Sequence, residues 1–240
     1  MITIKIAGVN VGIENQYDFT KRVEGWQTEE APAFTVRVSP EDMIREDEGR
    51  GFAPDYLEFI CAYRHIAERM PDYDAFVCHG VAVTMHGLSY LFSAPSGVGK
   101  STHALFWLNH LDPTASILNG DKPIIHKTPE GFEICGTPWR GKENYGFPVS
   151  HPLKGICMLH RGAEDRITPA QPEELIRFFL RQVYIPQDPA RADRMLTLLD
   201  ECCRTVPVWS MYCTLDPNSA RVSFEAMRPK DEAPQPAPGN

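Results

Sequence analysis

"YLFSAPSGVGKSTHALFWL", from Tyr90 to Leu108, is the stretch on which the fold turns. An apolar, strand-like run, "YLFS", passes through a glycine-bearing turn into a segment where Ala104, Leu105, Leu108 and Leu111 form one helical face. Asp112 and Pro113 close that helix. Ala94 to Ser101 fits GxxxxGK[ST] at every defined position but the first, where alanine stands in place of glycine and Pro95 follows with φ held near about −65°. Strand, loop and helix come in the order that a phosphate-binding loop requires. Gly97 and Gly99 free successive backbone N–H groups to curl around phosphate oxygens. Lys100 is placed to neutralise β and γ phosphates, and Ser101 or Thr102 sets a hydroxyl at the helix N-terminus, where partial positive charge favours an anion. The expected nucleotide-binding segment is therefore Ala94, Pro95, Ser96, Gly97, Val98, Gly99, Lys100, Ser101 and Thr102, with Ser101 the Mg²⁺ ligand by position. The plainer alternative is a glycine turn carrying an incidental lysine.

Upstream, "ITIKIAGVNVGI" and "AFTVRVS" alternate as strands joined through the charged loop "TKRVEGWQTEE". "PEDMIREDEGRG" is an acidic run that suits a solvated loop or helix edge better than a metal site. "APDYLEFICAYRHIAERM" spaces its apolar residues as a helix ended by Pro71, and "DAFVCHGVAVTMHGLSYLFSA" implies two strands around a turn at His86 to Ser89. Downstream, "SILNGDKPIIH", "GFEICGTPW", "LKGICMLHRG" and "VPVWSMYCTL" read as strands, and "QPEELIRFFLRQVY" and "DPARADRMLTLLDECCRT" as amphipathic helices. The Pro-rich end, residues 229–240, reads as a disordered tail. A single domain over residues 1–228 is the expectation, since 240 residues leave little room for a second core.

A net charge of −8 sets the long-range field against nucleic acid and anionic membrane. No apolar run approaches the roughly 18 residues of a membrane span, and "MITIKIAGVNVGIENQ" lacks the pattern of a signal peptide, so a soluble, cytoplasmic protein is expected. The seven cysteines form no CxxC pair and no ligand spacing, which fits small buried residues in a reducing compartment.

Phosphoryl transfer needs a carboxylate for the metal, a group to activate the acceptor, and positive charge on the phosphoryl group in flight. Asp121, at the end of "SILNGD", is the candidate carboxylate; its other reading is a turn aspartate before Lys122-Pro123.

From His79 to Ser101, "HGVAVTMHGLSYLFSAPSGVGKS" resembles the catalytic domain of the HPr kinase/phosphorylase family, which is related to ATP-dependent phosphoenolpyruvate carboxykinases. A histidine-glycine pair, a strand, a glycine turn, a strand and the phosphate loop follow in the family's order. The resemblance covers Phe76 to Pro123, with weaker support through Gly162. It implies an α/β fold of the carboxykinase type, a mixed sheet with a phosphate loop and flanking helices. Within it, residues 73–162 would form the nucleotide-binding core behind a divergent β-rich and helical part, residues 1–72. It also implies His79 in the catalytic site. The family has an acidic pair after the loop helix, whose first member takes the proton from the attacking serine hydroxyl; here "NGDKP" leaves only Asp121, beside Gly120. "EICG" echoes a family element that contributes to the metal site, which makes Glu133 a second metal candidate; a solvent-facing strand glutamate is the alternative. "GTPWRGKENYG" resembles an element of small HPr-kinase-like proteins, so Arg140 and Lys142 either close over the phosphates or form an exposed basic loop.

The resemblance thus implies an ATP- and Mg²⁺-dependent kinase acting on a hydroxyl, a serine of a protein or peptide, with His79, Lys100, Asp121, Arg140 and Lys142 in catalytic roles. It leaves homo-oligomer assembly open. A nucleotide-binding sensor with little transferase activity and a carboxykinase-like enzyme acting on a small acid are the competing expectations.

Overall fold

The computed structural model describes residues 1–229; the tail expected over residues 229–240 lies, apart from its first residue, outside the described residues. Strands β1 (Ile2–Ile6) and β2 (Val9–Glu14) form an antiparallel hairpin, and β3 (Phe34–Arg37) adds to β2 in parallel. Where one strand was expected over "ITIKIAGVNVGI" there are two, because Ala7 and Gly8 both take left-handed conformations, φ 47° and 72°, and close a two-residue turn. The acidic run folds as helix α1 (Pro40–Asp47), opened by a capping box between Ser39 and Asp42. Its carboxylates pair with the next helix, α2 (Pro54–Arg69): Glu46 with Arg64 and Asp42 with His65.

The second sheet has nine strands: β4 (Ala75–Val77), β5 (Val81–Met85), β6 (Leu88–Ser93), β7 (Ser116–Asn119), β8 (Ile124–Thr128), β9 (Gly131–Cys135), β10 (Ser150–Arg161), β11 (Arg166–Pro169) and β12 (Val208–Cys213). Hydrogen-bonded neighbours run β4-β8-β9-β10-β6-β5-β7, with β12 also on β10 and β11 beyond it. Strand β10 is the branch point. Its first three residues pair antiparallel with β9, while later ones run parallel to both β6 and β12. The sheet is therefore mixed and curled. A turn at His86 and Gly87, again both left-handed, makes the β5–β6 hairpin two residues tighter than the expected turn.

Helices α3 (Lys100–His110) and α6 (Asn218–Met227) pack on one face of this sheet, and α5 (Pro189–Thr205) packs on the other. Tyr90 and Phe92 of β6 meet Ala104 and Trp107 of α3, whereas Leu91 shares the opposite core with Met195 and Leu199. A central strand buried on both faces is a near-continuous apolar run, as "YLF" is. The third core, between α2 and the N-terminal sheet, takes in Val77 and Ile124 of the larger one and Trp139 of the loop after β9. Two indoles cross that boundary: Trp26 Nε1 donates to the Gly136 carbonyl at 3.1 Å, and Trp139 Nε1 to the Phe59 carbonyl at 2.9 Å. Helix α4 (Pro172–Phe179) ends earlier than the amphipathic pattern suggested, and the chain beyond it bridges back to Cys78 through Val183. No helix among the described residues is long and apolar enough to cross a membrane.

Beneath the loop that joins β6 to α3, His103 of α3 is buried between Ser219 and Ser223 of α6, with Nε2 at 3.0 Å from Ser223 Oγ. Burial pushes its pKa down to about 4. The unfolded chain binds a proton here near pH 6.5 and the folded chain does not, so stability falls as pH drops from about 6.5 towards 4. Urea unfolding at pH 7 and pH 4.5 should show the loss, with about 3 kcal/mol available from this residue alone across the whole window. His103→Asn should flatten the dependence.

Candidate active site

Strand β6 ends at Ser93, and Ala94 is wholly buried with its methyl in the core shared by β6 and α3. This position asks for a small side chain and does not need glycine: Ala94 is not among the residues with positive φ. The left-handed conformations fall on Gly97 (φ 80°) and Gly99 (φ 123°), each with open space where a Cβ would stand. Their requirement is one of backbone conformation, which a side chain would strain. Lys100 opens α3 and turns its ammonium back onto the loop, donating to the Ala94 carbonyl at 2.9 Å. Burial lowers its pKa, so an anion in the cleft would be held by a cation already stripped of much of its water.

A cavity of about 450 Å³ opens over this turn, with Ser96, Gly97, Gly99, Lys100, Ser101 and Thr102 on one wall and His79, Gly120, Asp121, Gly141, Lys142 and Glu143 on the other. Of the expected nucleotide-binding segment, Ala94, Pro95 and Val98 do not line it; Ala94 and Val98 support the loop from below. Arg161, at the end of β10, donates to the Gly97 carbonyl from outside and was not anticipated; the only cue is a basic residue ending a predicted strand.

The opposite wall is held by groups distant in sequence. His79 Nε2 lies 3.4 Å from Asp121 Oδ1, and its Nδ1 lies 3.0 Å from Gln182 Oε1. Gln182 is in place because its own carbonyl accepts the His79 N–H at 2.6 Å, where the chain after α4 runs beside β4. Asp121 is fixed through buried Asn119: Asn119 Oδ1 accepts the N–H groups of Asp121 and Lys122 at 3.0 and 2.8 Å, and its amide donates to Thr137. Gln182, Asn119 and Thr137 are positioning residues, and none carries a motif of its own.

Burial lowers the His79 pKa to about 4, and the ammoniums of Lys122 and Lys100 push in the same direction, against Asp121 and Gln182. The imidazole is therefore neutral at pH 7. With Nδ1–H given to Gln182, Nε2 faces Asp121 as a bare nitrogen. A carboxylate and a bare imidazole nitrogen 3.4 Å apart are a pair of proton acceptors suited to one hydroxyl.

Gly120 is where the resembling family has one acid of its pair. A Cβ there would stand 2.7 Å from the Arg140 carbonyl oxygen and 3.5 Å from that of Tyr145. The loop after β9 folds back across this point, with Gly120 N–H donating to Tyr145 and Phe147 N–H to Leu118. A side chain at position 120 would require this backbone to shift.

Arg140 and Lys142 separate. Lys142 lines the cavity over Gly97 and Gly99, whereas the Arg140 guanidinium lies over the Trp26 ring at 5.4 Å and reaches the Arg22 carbonyl. Glu133 is elsewhere. On β9 it takes a 2.9 Å contact from His126 Nδ1 and a weaker one from the Cys135 thiol; these donor atoms lie within 4.8 Å of one another, and none of the three residues lines the cleft. Glu133 is therefore not brought to Ser101 and Asp121 as a shared metal ligand.

Two further compartments continue the cavity. One, of about 330 Å³, shares Gly97, Gly99 and Thr102 with it and adds Phe106, Arg161, Cys213 and Leu215. The other, of about 680 Å³, shares His79, Asp121, Gly141 and Lys142 and is walled by α2, the 138–144 loop and the 181–184 segment. These features define a mixed α/β protein whose strand-loop-helix turn opens into a three-part cleft. No protein-family model matches the sequence, and no curated protein matches it significantly.

Proposed function

We propose that the protein is an ATP- and Mg²⁺-dependent kinase of the HPr-kinase-like type, on a carboxykinase-like fold, that phosphorylates a serine hydroxyl of a protein or peptide. One observation carries the reading: the compartments lie in the order a phosphoryl transferase needs, with the phosphate loop in the middle and a pair of proton acceptors at its far edge. The compartment beside Phe106 suits a nucleoside, Lys100 and the loop amides suit the phosphates, and His79–Asp121 faces the third space, from which a hydroxyl would approach. In the transfer the bond from the γ-phosphorus to its bridging oxygen breaks and a bond to the serine oxygen forms, while the serine proton passes to Asp121, supported by His79. Lys142, on the wall of the cavity opposite Lys100, supplies positive charge towards the same phosphates.

Ser101 and Asp121 line one cavity and fit a Mg²⁺ ion shared with phosphate oxygens; Glu133 does not. When bound, the ion would neutralise charge on the β and γ phosphates. Hard oxygen donors of this kind suit Mg²⁺.

The reading is tested first at the loop. Calorimetric titration with ATP and Mg²⁺ should show binding that Lys100→Ala weakens at least about 100-fold, the loss of a buried charge-assisted contact worth roughly 3 kcal/mol. Equal affinity in the two proteins would remove the loop from the account.

A further inference from the structure

The third compartment differs in charge from the molecule that contains it. The chain carries 32 acidic and 24 basic residues, yet this space is lined by Arg22, Arg64, Lys122, Arg140, Lys142 and Arg181 against two carboxylates, Glu46 and Asp121. Some of that charge is already answered: Glu46 holds Arg64, and Asp55, outside the compartment, holds Arg22. The rest is not. Among the described residues, Arg181 and Lys142 take part in no hydrogen bond or ion pair through their side chains, Lys122 reaches Asp121 only at 3.8 Å, and Arg140 Nε is buried without a partner. A buried cationic N–H with no acceptor is costly, and cations crowded at one cleft repel unless an anion joins them.

The remaining wall is aromatic. Tyr56, Phe59 and Tyr63 of α2 stand there with Trp139, which stacks on Phe59 at 5.3 Å. Concave, part aromatic and net cationic, the space fits a short extended segment with apolar and acidic side chains better than a flat protein surface.

Resting on the kinase reading above, we infer that this compartment is the acceptor site and that it selects a peptide segment whose serine is flanked by acidic residues. The serine hydroxyl lies against His79 and Asp121 while neighbouring carboxylates meet Arg181, Lys122 and the Arg140 guanidinium. Helix α2, from the divergent N-terminal part, thereby becomes a specificity element.

The test is a panel of serine peptides identical except for Asp, Ala or Lys on either side of the serine, incubated with γ-labelled ATP and Mg²⁺. The expected result is kcat/KM at least about tenfold higher for the Asp peptides than for the Lys peptides, a difference of about 1.4 kcal/mol. Arg181 is exposed, so its variants should fold; Arg181→Glu should erase most of the preference, through KM, and Arg181→Lys should retain it. Transfer to all peptides alike, or a preference unchanged in Arg181→Glu, would overturn the inference and leave the kinase reading standing. Label transferred to no peptide, with ATP still bound, would overturn both.

Discussion

Asp121→Asn should bind MgATP within about tenfold of the native protein and transfer phosphate at least about 10³-fold more slowly, about 4 kcal/mol in the barrier. Asparagine keeps the shape of the side chain, and the Asn119 contacts that fix residue 121 come from its backbone N–H, so the wall of the cleft should stay in place. On the proposed mechanism, what is lost is the proton acceptor and an anionic metal ligand. His79 remains, neutral at pH 7, but without the carboxylate nothing stabilises it once it takes the serine proton. The pH profile adds a second readout. A histidine with its ordinary pKa would shut transfer down as pH fell through about 6.5. Held down by burial and two ammoniums, His79 stays unprotonated until about pH 4, so kcat/KM in the free enzyme should hold through pH 6 and fall only below about 5. Single-turnover rates, with nucleotide affinity measured in parallel, decide the first point. A fall in rate matched by an equal fall in affinity would make Asp121 a nucleotide ligand and nothing more.

Gly120→Asp, which restores the acidic pair of the resembling family in sequence, should damage the protein. The Cβ alone would come to 2.7 Å from the Arg140 carbonyl oxygen, and backbone must move to relieve it. The backbone in question is tied down: Tyr145 accepts from Gly120, Phe147 donates to Leu118, and Gly136 donates to Val149. Overpacking of this kind costs about 3 kcal/mol, which Gly120→Ala should show in urea unfolding. Aspartate adds a carboxylate against carbonyl oxygens, so Gly120→Asp should lose more than about 4 kcal/mol or fail to fold. An aspartate variant as stable as native and faster in transfer would mean that the loop after β9 yields easily and that the lone carboxylate is a defect.

The two substitutions mark the boundary of what could be read from residues in order. The strand-turn-helix at Ser93 to Lys100 was legible because its signals are local: a strand end, two left-handed glycines, a lysine and a helix start lie within a dozen residues, and each has a compositional signature. His79 and Asp121 were legible through their place in a motif, and the structure brings them to the same cavity as Lys100, Ser101 and Thr102. Their supports were not legible. Gln182 reaches His79 across 103 residues, and the Asn119–Thr137 bonds depend on how the β9 loop returns along β7. The vacancy at position 120 looked like a missing acid, and its cause, the Arg140 carbonyl, is visible only in three dimensions. Arg140 itself drew attention for its sign, yet sign does not say where a long side chain points; Trp26 turned it towards the N-terminal sheet. In the fold, the Ala7–Gly8 turn escaped notice because alanine seldom takes the left-handed conformation, and β11 and α6 are short elements whose burial is supplied by β12 and α3.

The central claim is that this cleft moves a phosphoryl group to a serine. The most direct measurement is to incubate the purified protein with γ-labelled ATP, Mg²⁺ and acidic serine peptides, and then to map the label by mass spectrometry. The account predicts one phosphate on the serine, dependent on Mg²⁺ and abolished in Lys100→Ala and Asp121→Asn. Label on serine that survives both substitutions, or ATP bound tightly with no label transferred to any peptide, would contradict it.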